Sequence, residues 1–308
     1  MGSTKHQEPL VISSLMTPST SHTPFASHGH ASKPSDDSDK TDSDTSMTSG
    51  VSCSPSAPPE SPSRGRTFYN HMMADVKPSL MAEFELVVLT FSTGIQDAAS
   101  FPDYKCFTSN QTGNTVFLMV ALVMPELSGN LFITANIGAS LGFFLAGAWI
   151  TGQLSHFVGP RRRLWLVLCN FLQACMVFAA AGIQYKYGID LQGSRTIGVI
   201  GLLAFSAGSQ IVQSRSLSMI EISTAMATAA WVDVMVDKRM FILKGNRPQC
   251  RRIGFLVALV VGALVGAAVY RMAGSAIALY VSAASKLMVS IIYLFNSSEQ
   301  RKVEESKV

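Results

Sequence analysis

The sequence predicts an all-α integral membrane protein. It is expected to have about six transmembrane helices, two short re-entrant or half-helical segments and two pseudo-symmetric halves. Three observations predict this: scarce charge, a succession of apolar runs, and residues that repeat at an offset near 116. Charged residues make up only 14% of the 308 residues, against about 25% in a soluble domain. The mean hydropathy is +0.28. That average hides a split. Residues 1–79 are rich in Ser, Thr, Pro and Asp and hold no long apolar run, whereas residues 80–296 are a near-continuous series of them.

The first region buries too little apolar surface to offset its ordering entropy, so residues 1–79 read as a disordered tail. No basic start followed by an apolar core stands near Met1, so this tail is expected in the cytosol. Its serines and threonines, as in 61–66, are candidate phosphorylation sites. Residues 297–308 form a second short charged tail.

A membrane helix needs about 20 mostly apolar residues. Segments 80–101, 131–154, 164–183, 196–213, 253–271 and 275–295 meet that length. Segments 112–126 and 223–236 are shorter, with 15 and 14 residues, and suit re-entrant or half-helices. The halves are 80–185 and 196–296. Ile137-Gly138 and Ile253-Gly254 lie 116 apart, as do Thr112 and Thr228, while Gly94-x-Gln96 and Gly208-x-Gln210 lie 114 apart. Gly138, Gly142 and Ala146 form a small-residue stripe matched by Gly254, Ala258, Gly262 and Gly266. Such stripes let helix backbones approach closely in lipid.

Arg161 to Arg163, the cluster Lys238, Arg239, Lys244, Arg247, Arg251 and Arg252, and the C-terminal Arg301, Lys302 and Lys307 should all face the cytosol. Six crossings put all three inside, with inverted halves and both termini cytosolic. Eight crossings would put the Arg triplet outside. Six is the preferred reading, with seven or eight still open.

The stretches GIQDAASF (94–101) and NQTGNTVFL (110–118) resemble the YoaK family of membrane proteins (domain of unknown function 1275). The matching positions are Asp97, Ala98, Phe101, Thr112, Gly113, Asn114 and Thr115. In the second half Gly208, Gln210, Thr224 and Thr228 fit the family pattern, but Ile211 and Ala229 replace its Asn and Gly. The tail and the WVD stretch at 231–233 resemble a fungal branch. The resemblance implies about six helices and no established biochemical function.

Asp97 is the sharpest candidate for chemistry. An acid deep in an apolar segment faces a cavity, pairs with a base or relays protons. Its structural alternative is an Asp that only fixes helix packing. Thr112 opens a short helix as an expected N-cap, with Gly113 allowing close approach. A helix starting inside the membrane presents free N–H groups and a positive dipole end, suited to an anionic solute. Asn110 and Asn114 flank it, and Thr224 and Thr228 mark the second short segment. Asn110-Gln111-Thr112 is also a glycosylation sequon, discounted because it falls inside the apolar region. Lys286 lies mid-segment and is expected to pair with Asp97 or Asp233; its counterpart at the 116 offset is Asn170. Gln96 and Gln210 add polar groups to the first helix of each half, while Arg215 reads as interfacial.

Five scattered cysteines without a CxxC pair exclude a disulfide framework and a zinc site. No HExxH, GxSxG or P-loop is present, so no enzyme activity and no cofactor are expected. Basic residues confined to short loops argue against nucleic acid. The expected partners are the lipid bilayer and a small molecule or ion. The leading reading is a secondary transporter or permease of a small solute, with possible proton coupling at Asp97. The alternative is a scaffold or sensor whose tail recruits cytosolic partners.

Overall fold

The computed structural model describes residues 64–129, 131–217, 219, 222, 227–238 and 245–296. These residues form α1 (Arg64–Met73), α2 (Leu80–Tyr104), α3 (Gln111–Val123), α4 (Thr134–Val158), α5 (Arg163–Tyr187), α6 (Ser194–Ser216), α7 (Ala227–Val236), α8 (Arg247–Ala273) and α9 (Ser275–Ile292). The chain is an all-α integral membrane protein. Five helices (α4, α5, α6, α8 and the run from α9 to Phe295) are long and apolar enough to cross a membrane. The 25 residues of α2 match them in length, but Glu83, Glu85, Asp97 and Asp103 lower its hydropathy.

Structured chain begins before the boundary expected at residue 79. Helix α1 ends at Met73, and the following strand-like residues pair Asp75 with Arg162. Ser79 then caps α2, accepting a hydrogen bond from the Ala82 N–H at 3.3 Å. The expectations for residues 1–63 and 297–308 lie outside the described residues.

Paired contacts give the helix directions. Helices α2 and α8 run parallel: Glu83 meets Arg247 and Arg251 at one end, and Asp103 accepts a bond from Tyr270 Oη at the other. Helices α4 and α6 are also parallel, with Phe143 over Gly201 and Thr151 bonded to Ser209. Helix α9 opposes α2 and α5; Ser282 meets Ser92, and Ser290 bonds the Val167 carbonyl. Helix α6 opposes α5, as Gln213 reaches Leu166 and Gln173 reaches Ser209. Thus α2, α5 and α8 point one way, and α4, α6 and α9 the other.

One consequence is that α2 and α4 are antiparallel although α3 lies between them. Helix α3 therefore adds no net crossing. At 13 residues it spans only about 20 Å. Arg161 to Arg163, Arg247, Arg251 and Arg252 lie at one end of the bundle, and Lys105, Lys186, Arg195 and Arg271 at the other. At the first end Arg163, itself buried, donates to the His71 and Asn296 carbonyl oxygens, and Glu83 sits between Arg247 and Arg251 at 2.8 Å from each.

Close backbone approach holds the two parallel pairs together. A Cβ on Gly94 would fall 2.5 Å from the Leu259 carbonyl oxygen, and Gly262 seats against Phe91 of α2. The α4–α6 pair repeats this with Gly208 against Phe144 and Gly147 against Phe205. The glycine stripe of α4 is thus displaced from the expected one. Gly138 and Gly142 are exposed with open space around them, while Gly147 carries the contact. Gly147 and Gly262 are 115 apart, one residue off the expected 116 register. A helix turns about 100° per residue, so a one-residue error moves a whole stripe from partner to lipid.

Candidate functional site

The chain turns back on itself after α2. Lys105 adopts a left-handed conformation (φ 54°), which ends α2 and directs residues 106–110 back along it. Asp97 secures that return. One carboxylate oxygen accepts from the Thr108 N–H, the Thr108 hydroxyl and the Ser109 N–H; the other accepts from the Ser109 hydroxyl. Every partner donates, which is the arrangement an ionised carboxylate requires. Phe101 and Phe107 stack at 4.6 Å and close the loop's apolar side.

Asn114 clamps the loop from α3. It is fully buried, and its side chain accepts from the Phe107 N–H at 3.0 Å while donating to the Phe107 carbonyl oxygen at 2.7 Å. Ser140 of α4 donates to the same carbonyl. With its amide oxygen and nitrogen both used internally, Asn114 positions the loop and does not line the cavity. Helix α3 consequently starts about two turns below the end of α2, level with Asp97. Its cap is Asn110, whose Oδ1 accepts from Gly113 N–H, and not Thr112 as expected. Asn110 sits one residue before the helix, where its short side chain can fold back. Thr112 is already helical and exposed.

In front of this start lies a cavity of about 550 Å³. Asp97, Ser109, Asn110, Gln111, Thr112 and Gly113 line one side; Ala227 and Thr228, the first residues of α7, line another. Phe144, Ala148, Ile211, Val212 and Leu259 form apolar wall, and Arg215 completes the lining. The two short helices that the sequence singled out thus meet at one cavity, α3 by its start and α7 by its first described residues. Asp97 and Ile211, 114 residues apart, both face it, so the second half has an alkyl side chain where the first has a carboxylate, with Arg215 one turn further along α6.

Other expected site residues lie elsewhere. Gln96 is buried and bonds Ser282 Oγ at 2.9 Å, joining α2 to α9. Asp233 is exposed on α7, 3.5 Å from Arg252 Nε. Lys286 is fully buried but meets neither Asp97 nor Asp233; its ammonium donates to Gln210 Oε1. Gln210 in turn donates to Thr93 Oγ1 at 2.9 Å and to the Leu89 carbonyl oxygen. Helix α9 packs on α2 and α5 and contributes no residue to the cavity lining. Thr224 lies outside the described residues. Arg215, read as interfacial, is exposed in the last turn of α6 and also lines the cavity, a second role that its place at the end of an apolar run did not signal.

Removing the acceptor from Lys286 should cost more than removing the cation. Gln210→Leu is expected to destabilise by about 3 kcal/mol and Lys286→Met by less, because only the first strands a buried charge. Thermal unfolding of both variants and the double variant checks this; equal effects would contradict the pairing.

Comparison with family profiles matches residues 86–292 to the family described as "Protein of unknown function (DUF1275)". The chain belongs to this family. The DUF1275 match covers all six long helices in whole or large part, both short ones, and every cavity residue. No curated protein and no solved structure matches the chain.

Proposed function

We propose that this DUF1275 protein is a secondary transporter of a small solute, built from two inverted repeats. The observation that carries the reading is the cavity lined by the start of α3 and by Ala227 and Thr228 of α7, one short helix from each half. Discontinuous helices starting at a central site are how many transporters hold a solute and rock two halves around it. The repeat is supported by matched packing: α2 on α8 and α6 on α4 use equivalent glycines and run in opposite senses. Halves of three crossings each account for that opposition. The denser basic clusters, Arg161 to Arg163 and Arg247 with Arg251 and Arg252, share one end of the bundle and support cytosolic termini under the positive-inside rule. Asp97 stands at the cavity and is the residue to which proton coupling is assigned. A dry, packed interior would have favoured a scaffold or sensor whose tail recruits cytosolic partners.

Two measurements test this. Tags after Arg163 and after Lys244 should both be reached from the cytosol; opposite sides would end the six-crossing arrangement. Purified full-length protein in vesicles should take up one of a panel of monocarboxylates, amino acids, nucleobases and phosphate, faster with a pH gradient. Thr112→Val and Thr228→Val should each lower that uptake by about tenfold, the worth of one hydrogen bond. Uptake no greater than in empty vesicles for the whole panel would count against transport.

A further inference from the structure

A second concavity lies on the bundle's outer face and shares no lining residue with the cavity at Asp97. It measures about 390 Å³ and is lined by Phe143 of α4, Met176 and Ile183 of α5, and Gly198, Gly201, Leu202 and Phe205 of α6. Its wall is almost wholly apolar. Two glycines make the slot. On α2, 114 residues earlier, the corresponding positions are Phe84 and Val87, whose side chains would fill such a space. Gly201 leaves room only for the Phe143 ring, and a Cβ on Gly198 would meet nothing within 4 Å.

The slot has a charged rim. Ile183 and Gly198 each lie three residues, about 5 Å, from Lys186 and Arg195 at the ends of α5 and α6. The Lys186 ammonium stands 5.2 Å from the centre of the Tyr187 ring, and the Arg195 guanidinium 5.3 Å from it. Asp190 pairs with Arg195 at 3.2 Å, and both side chains are half exposed. Lys186, Arg195 and Asp190 together leave the rim with one net positive charge. An aromatic residue flanked by cations at a helix end is the signature of the headgroup level. We infer that this slot is a site for an anionic phospholipid, with one acyl chain between α4, α5 and α6 and its phosphate at Lys186 and Arg195. An apolar groove accepts any acyl chain; the cationic rim selects the anionic headgroup.

Full-length protein in phosphatidylcholine vesicles containing a minor fraction of phosphatidylglycerol with a photoreactive acyl chain tests the site. Labelled residues are read by peptide mass spectrometry, with exposed Leu264 as the internal reference. Labelling should concentrate on Met176, Ile183 and Leu202. Gly198→Leu, which occupies open space and improves helix propensity, should cut it at least about fivefold and leave Leu264 unchanged. Lys186→Gln with Arg195→Gln should reduce the phosphatidylglycerol signal by about fivefold, to the level of a phosphatidylcholine probe. Even labelling of the lipid face, indifference to Gly198→Leu, or cross-linking of the slot to a second copy of the chain would each overturn the proposal. Loss on Gly198→Leu without any headgroup preference would overturn the assignment of an anionic lipid.

Discussion

Gly208→Ala and Gly262→Ala should each destabilise the bundle by about 3 kcal/mol, whereas Gly138→Ala and Gly142→Ala should stabilise it by up to about 1 kcal/mol. All four are helix-interior glycines in membrane-crossing helices, and sequence alone ranks them together. The difference is what a methyl would meet. At Gly208 it would strike the Phe144 carbonyl, and at Gly262 the Phe91 carbonyl, both backbone atoms that cannot turn aside. Separating the parallel pair costs dispersion along its whole length, because no water-driven term holds helices together in lipid. At Gly138 and Gly142 nothing lies within 4 Å, so only the backbone entropy gain remains. Thermal unfolding of the four variants in one detergent decides the matter. Similar shifts for all four would mean that the α4–α6 and α2–α8 seams are not where the structure puts them.

Asp97→Ala should be the most damaging change at the cavity, at about 3–5 kcal/mol, and Asp97→Asn far milder. The alanine leaves the Thr108 and Ser109 N–H groups, and two hydroxyls, without their acceptor. Thr108 is fully buried, so its freed backbone donor has no ready substitute. The loop at 106–110 would then lose its register, and with it the start of α3. Asparagine keeps one oxygen acceptor, and the Ser109 hydroxyl can rotate to accept from its amide. The asparagine variant therefore separates the two roles of the residue. Fold retained with pH-driven uptake abolished is the outcome expected for proton coupling. Fold and uptake both retained would leave Asp97 as the anchor of the re-entrant loop alone.

That anchoring role was half legible. The sequence marks Asp97 because a carboxylate in an apolar helix requires an explanation. It does not reveal that the partners are Thr108 and Ser109, since these are ordinary loop residues until the chain turns back beside α2. Thr112 was legible as a helix start, but the cap belongs to Asn110, two residues earlier. Boundaries of this kind depend on one backbone turn, and several nearby residues have capping side chains. Lys286 was legible as buried. Its acceptor, Gln210, was singled out for another reason and not joined to it, because an amide carries no charge by which to predict a pair.

What the sequence determined by itself is the class of molecule: an all-α membrane protein, its long and short helices, its family, and the residues around which a site would form. Those follow from hydrophobic length and local motifs, which need no partner to be read. Only the tertiary structure decided that α3 and α7 meet at one cavity, that Gly147 and not Gly138 or Gly142 seats α4 on α6, and that Lys286 turns away from Asp97. Each depends on which face of a helix meets which neighbour. A single residue of register rotates that face by about 100°, and packing fixes it where composition does not.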